Sequence, residues 1–260
     1  MTTFVRCHAL AAGGMLAAFA LLPPSLDGIA ESASWPARPA LLPFAWQSLL
    51  EAERTGDDAE MFARAQNLMR LLPQWADGFA AFAYRYVLAD PTTAEPDAGR
   101  RAARAHARLQ VGIAWLEGAR PLAGRHEPSL LDALVFLPEL AVRREPALAK
   151  LLPNGGAAAI ADHYFAEAER LFPSAAAREQ RTFHAPVLAA SLLAAGERSG
   201  AIDVLQLAIE RSRDARDQQL ATEWRTRLQE VVRWLAGDRT VDLEAVRADT
   251  RMQPLLPYLR

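Results

Sequence analysis

Cysteine occurs once in this 260-residue chain, at Cys7, and lysine once, at Lys150. A single cysteine cannot close an intramolecular disulfide or assemble a thiolate metal cluster. The formal net charge is −2, so the chain lacks the positive excess that marks a general nucleic-acid binder. Nucleic acid is therefore not expected among its partners. Catalytic signatures are missing as well. There is no G-x-S-x-G elbow, no phosphate loop ending in Gly-Lys-Ser/Thr and no G-x-G-x-x-G. His126-Glu127 opens like a zinc-protease motif, but Leu130 stands where the second histidine is required. No cofactor, metal site or catalytic residue is implied.

Long apolar runs are scarce. The uncharged stretch Ala9–Leu22 spans 14 residues, short of the roughly 20 that a membrane helix needs. It has the length of a signal-peptide core, and Pro23 and Pro24 end any helix there. Residues 1–30 are expected to be a signal peptide or N-terminal membrane anchor, with Gly28 and Ala30 suited to cleavage after Ala30. The protein is then exported, periplasmic or tethered at the membrane; it is cytoplasmic if residues 9–22 are not a signal. Residues 31–43, with three prolines, read as a linker.

What is abundant is alanine and apolar sequence at helical spacing; hydrophobic residues make up 51% of the chain. From Phe44 onward apolar residues recur at steps of three and four, the period of a helix with one buried face. Leu220, Trp224, Leu228, Val231 and Leu235 show it best, and Gly237 supplies the stop. Helices are expected over residues 57–72, 75–89, 98–118, 129–142, 156–172, 175–195, 199–213 and 215–236. Their short connections require neighbours to run antiparallel.

The helices also repeat. Gly56 precedes Pro73 by 17 residues, and Gly156 precedes Pro173 by the same 17. Gly156, Ala161, Phe165, Ala168 and Pro173 follow the order of turn glycine, small residue, aromatic, small residue and terminal proline. Gly196, Ala201, Leu205 and Ala208 repeat it, but Arg213 replaces the proline. In the first unit Met61 and Leu68 replace the small residues, and residues 120–155 fit poorly. This pattern resembles the tetratricopeptide repeat family in degenerate form. The resemblance implies an all-α fold, a right-handed α-solenoid of stacked antiparallel helix hairpins over residues 44–214. Residues 215–260 would form a capping helix and tail, with Leu243, Val246, Met252, Leu255, Leu256 and Leu259 covering the open apolar end.

Clusters of polar residues have plainer accounts than catalysis. His163 and Glu167 share a helical face, and a metal would need Glu169 or His184 in addition. A hydrogen-bonded pair on a solvated helix face is the plainer account, because two residues do not close a tetrahedral site. Glu51, Glu53, Asp57 and Asp58 gather acids where glycoside cleavage could use them, but acids at a helix start also favour its dipole. Arg100, Arg101, Arg104 and Arg108 form a basic stripe that could meet phosphate or an acidic partner. The plainer account is a solvated face, partly compensated by Glu95 and Asp97. Trp75, Phe79, Phe82 and Tyr86 recur at core spacing.

Trp46, Tyr84 and Phe183 are the aromatics least explained by core packing. In the resemblance they fall on first helices that face a concave groove. With Leu50 and Asp77 they are the candidate partner-binding residues. The resemblance implies a non-catalytic scaffold or assembly module of the cell envelope that holds a peptide or helix of a protein partner. The alternatives are a glycan-cleaving envelope enzyme built on a helical superhelix, and an accessory subunit buried in a permanent membrane-associated complex.

Overall fold

The computed structural model describes residues 38–72, 74–89, 95–215 and 217–260. The expected leader 1–30, Cys7, residues 31–37 of the linker and Pro73 lie outside the described residues. Among those described there is no strand, so the fold is all-helical. The chain divides into two compact units, one ending at Gly78 and one starting at Phe79. The repeat region expected as one domain, 44–214, is therefore shared between them.

The N-terminal unit is built on a hairpin of α1 (Arg38–Thr55) and α2 (Asp58–Leu71). Gly56, at φ +69°, turns the chain in the left-handed region that residues with a Cβ avoid. Asp57 then caps α2, accepting hydrogen bonds from the Ala59 and Glu60 amides at 2.9 and 3.1 Å. Met61, Ala65, Leu68 and Met69 are the buried stripe of α2, and Leu49 and Ala52 are buried on α1. The helix starts at Arg38, so residues 38–43 are helical rather than linker. Pro39 falls in the first turn, whose amides lack an intrahelical acceptor; proline costs nothing there. Pro43 forgoes one helical hydrogen bond deeper in.

The two units divide within α3 (Ala76–Leu88). From Phe79 the chain continues into α4 (Ala98–Ala123), α5 (Glu127–Arg144), α6 (Gly156–Leu171), α7 (Ala175–Ala194), α8 (Arg198–Arg211), α9 (Gln218–Ala236) and the short α10 (Glu244–Ala248). From α4 to α9 each helix packs on the next in chain order. Helix α4 overruns its expected end at residue 118 and carries Pro121 to reach Ala123. Helix α5 is the most deeply set, with Leu130, Leu131, Leu134 and Leu137 fully buried. Phe79 and Phe82 pack on Trp115 with ring centroids 5.4 and 4.9 Å away, and the Trp115 indole donates to the Phe79 carbonyl at 3.2 Å.

The small repeat residues sit where helices approach. Ala161, Ala201 and Ala208 are buried, as are Phe165 and Leu205. An alanine stripe lets two helix backbones come close without a gap between them. One core then joins Ala185 and Ala189 of α7, Leu205 of α8 and Trp224, Leu228, Val231 and Leu235 of α9 to the tail residues Leu243, Val246, Met252, Leu255 and Leu259. Residues 215–260 thus share a core with residues 185–208. The final 3-10 segment, Thr250–Tyr258, lies against α7.

Candidate binding cleft

Two clusters of partly buried ion pairs tie the helices together. Arg120 of α4 reaches Glu117 at 2.9 Å, Glu127 of α5 at 2.8 Å and Glu167 of α6 at 2.9 Å. Its hydrogen bonds hold the Glu167 carboxyl below the usual range, against the opposing effect of burial. Burial first, then the charge and hydrogen bond of Glu117, push the Tyr164 phenol well above its ordinary value. Arg181 of α7 holds Asp162 of α6 through two parallel contacts and Glu169 at 3.2 Å.

These pairings give structural partners to several of the polar residues read from the sequence. Glu167 and Glu169 serve arginines. The His184 ring packs on Phe165, with Nε2 3.1 Å from the Ala158 carbonyl oxygen. Among the described residues no three His, Cys, Asp or Glu side chains are placed to hold a metal ion. Asp57 caps a helix and Glu51 pairs with Arg54 at 3.3 Å. The arginine stripe is not a solvated face. Arg100 is exposed, but Arg101 pairs with Glu145 at 3.1 Å, and Arg108, only 7% exposed, lies over the Tyr86 ring. Arg104, Arg108 and Arg144 line a small hollow of about 10 Å³ beside Glu145. A 3.6-residue period shows that such residues share a face; it does not show what covers that face.

A larger cleft, of about 110 Å³, opens between α7, the end of α8 and the start of α9. Phe183 and Trp224 form its aromatic wall, edge to face, with centroids 5.0 Å apart. Phe183 is 38% exposed while Trp224 is fully buried. The Trp224 indole nitrogen, unlike that of Trp115, has no hydrogen-bond partner among the described residues. Arg251 of the tail lies over the Trp224 ring at 5.1 Å. Arg178, Glu179, Arg211, Asp214 and Asp217 supply the charged lining. Asp217 caps α9 by accepting from the Leu220 amide at 2.9 Å, and Asp214 faces Arg178 at 3.6 Å.

Of the five residues expected to bind a partner, only Phe183 lies in this cleft. Tyr84 sits on α3, half-buried, its phenol pushed up first by burial and then by the Asp132 charge. Trp46, Leu50 and Asp77 belong to the N-terminal unit. Trp46 meets Trp75 at 6.1 Å, each 36% exposed; Leu50 is half-buried and Asp77 exposed. Trp224 and Arg211 were not expected. Trp224 reads as an ordinary core position, and Arg211 as one arginine among many. A local signal did exist: Arg213 replaces the repeat proline, and the turn at that departure brings Ser212, Asp214 and Ala215 to the cleft.

Comparison of the chain with protein-family models, characterised proteins and solved structures finds no match. The tetratricopeptide resemblance rests on the residue pattern alone.

Proposed function

We propose that this chain is a non-catalytic interaction module, a right-handed α-solenoid of the tetratricopeptide kind, that holds a segment of a protein partner. The observation that carries the reading is the aromatic-walled cleft, in which the exposed Phe183 stands against Trp224 within a charged rim. Partner recognition favours aromatic anchors that bury a large area at low entropic cost. The packing of α4 to α9 in chain order supports the stacked-hairpin architecture. Of the acids that glycoside chemistry would recruit, Asp57 caps α2 and Glu51 pairs with Arg54, which favours their structural account.

A displayed peptide library selected on the full chain tests this reading. Selected peptides should lose about tenfold or more in affinity on Phe183→Ala, as expected of a contact worth at least 1.4 kcal/mol. Peptides that bind both proteins equally, or no selection at all, would remove the cleft from the function. The length of the uncharged run Ala9–Leu22 supports reading the module as one of the cell envelope, exported or tethered through residues 1–30. N-terminal sequencing of the mature protein tests that placement, and a chain starting at Met1 in the cytoplasm contradicts it. Among the described residues no helix is long and apolar enough to cross a membrane.

One observation favours a second reading, that of a subunit buried in a permanent complex. Phe44 is 69% exposed, and the Trp46–Trp75 pair lies at the surface of the N-terminal unit. A stable monomer at high concentration with no partner on native purification would exclude it.

A further inference from the structure

The charges around the Phe183–Trp224 cleft do not cancel one by one. Asp217 is engaged by the Leu220 amide, and Asp214 faces Arg178. Glu179 also has an interaction partner. The Arg211 guanidinium, by contrast, makes no hydrogen bond or ion pair among the described residues. It is half-buried, and the charges of the Arg181 cluster act on it. Within that cluster Asp162 and Glu169 are already held by Arg181. Burial and then the like charge of Arg181 disfavour the Arg211 cation more than the two carboxylates favour it. A partly buried cation without a partner is unfavourable, and an anion brought to it removes the penalty.

Trp224, whose buried indole N–H is a second unsatisfied donor, stands behind Phe183 in the same lining. Phe183 and Trp224 offer the cleft an apolar wall, and Leu220 and Ala221 extend the apolar lining. The guest that matches these features has an acceptor of full negative charge beside an apolar body. Guanidinium and carboxylate match in shape as well as in sign.

We propose that this cleft binds a peptide carboxylate through Arg211, with a neighbouring apolar side chain of the same peptide against Phe183, which is backed by the buried Trp224. The proposal rests on the interaction-module reading and names the chemistry of the segment held. The carboxylate can be a chain end or an acidic side chain; both present the same group to Arg211.

The test uses the full chain and three small probes: N-acetyl-phenylalanine, its C-terminal amide, and acetyl-Phe-Glu-amide. The readout is the indole N–H resonance of Trp224, assigned by its loss in Trp224→Phe. Both carboxylate probes should shift it at millimolar concentration, and the amide should bind about tenfold more weakly, as expected for loss of a charge-assisted hydrogen bond. The tighter of the two acids identifies chain end or side chain. Arg211→Gln should abolish the preference for acid over amide, and Arg211→Lys should retain part of it. Equal binding of acid and amide would overturn the carboxylate assignment while leaving the cleft as a binding site. If no probe binds, both the assignment and the cleft reading fail. An Arg211→Gln protein that keeps its amide spectrum and its full acid preference would also overturn the assignment.

Discussion

Arg181 and Asp162 face each other side-on across α7 and α6, with Nε donating to Oδ1 at 2.9 Å and Nη2 donating to Oδ2 at 3.0 Å. Both side chains are mostly buried, at 16% and 24% exposure. Two fixed N–H groups meeting two oxygens set the rotation of one helix against the next, which apolar packing alone does not. Asp162→Asn keeps the shape and removes the charge. It should cost about 1–3 kcal/mol in urea unfolding, the range of a charge-assisted hydrogen bond. A change below a few tenths would show that the pair adds nothing to packing.

Acid should unfold the protein partly through Glu167. Its folded carboxyl lies below the unfolded value because Arg120 binds the charged form. In the window between the two values the unfolded chain binds more protons, so stability rises with pH. This contribution is complete above the unfolded carboxylate value of about 4.3 and disappears as pH falls through the folded one. Urea midpoints measured from pH 7 downward should fall less steeply in Glu167→Gln than in the native chain. Parallel curves would refute this.

The two buried tryptophans provide a matched comparison. Trp115 donates to the Phe79 carbonyl at 3.2 Å, while the Trp224 nitrogen has no acceptor among the described residues. Trp115→Phe removes a buried tertiary hydrogen bond, while the Phe79 carbonyl keeps its helical donor, and should cost about 0.5–1.5 kcal/mol beyond lost packing. Trp224→Phe removes a donor that gains nothing in the folded state, so only the packing loss should remain. Thermal melts that rank the two variants in the opposite order would contradict the assignment.

Two glycines should respond with opposite sign to alanine. Gly196 turns α7 into α8 at φ +82°, where a Cβ is strained even though no atom obstructs it. Gly196→Ala should cost about 1–2 kcal/mol. Gly118 lies inside α4 with open space where the Cβ would go. Gly118→Ala should stabilise by about 0.5–1 kcal/mol, since it removes backbone freedom from the unfolded chain. Chemical denaturation of the pair checks both signs.

Close packing at the repeat alanines predicts a further cost. Ala201 is fully buried in the α7–α8–α9 core. Ala201→Leu should destabilise by about 1–3 kcal/mol through overpacking, and Leu205→Ala by about 2–5 kcal/mol through a cavity. If Ala201→Leu were neutral, the helices would be less closely apposed than their alanine contact requires.

The helices were legible in the residues themselves. Glycine at positive φ, Asp57 at a helix start, and apolar steps of three and four act over one or two turns, so the chain alone determined where α2, α6, α7, α8 and α9 run. The Asp217 cap of α9, by contrast, lies inside the helix expected over residues 215–236. The division of 44–214 into two units, the helical state of residues 38–43 and the extension of α4 past Pro121 depended on distant packing. Site chemistry was less legible still. Phe183 could be flagged because its surroundings did not account for it. Trp224 and Arg211 could not be, because the features that single them out are the missing partners of an indole and a guanidinium. A hydrogen bond between residues far apart in sequence, or the lack of one, is fixed by how helices turn about their axes as they pack, and local periodicity carries no record of it.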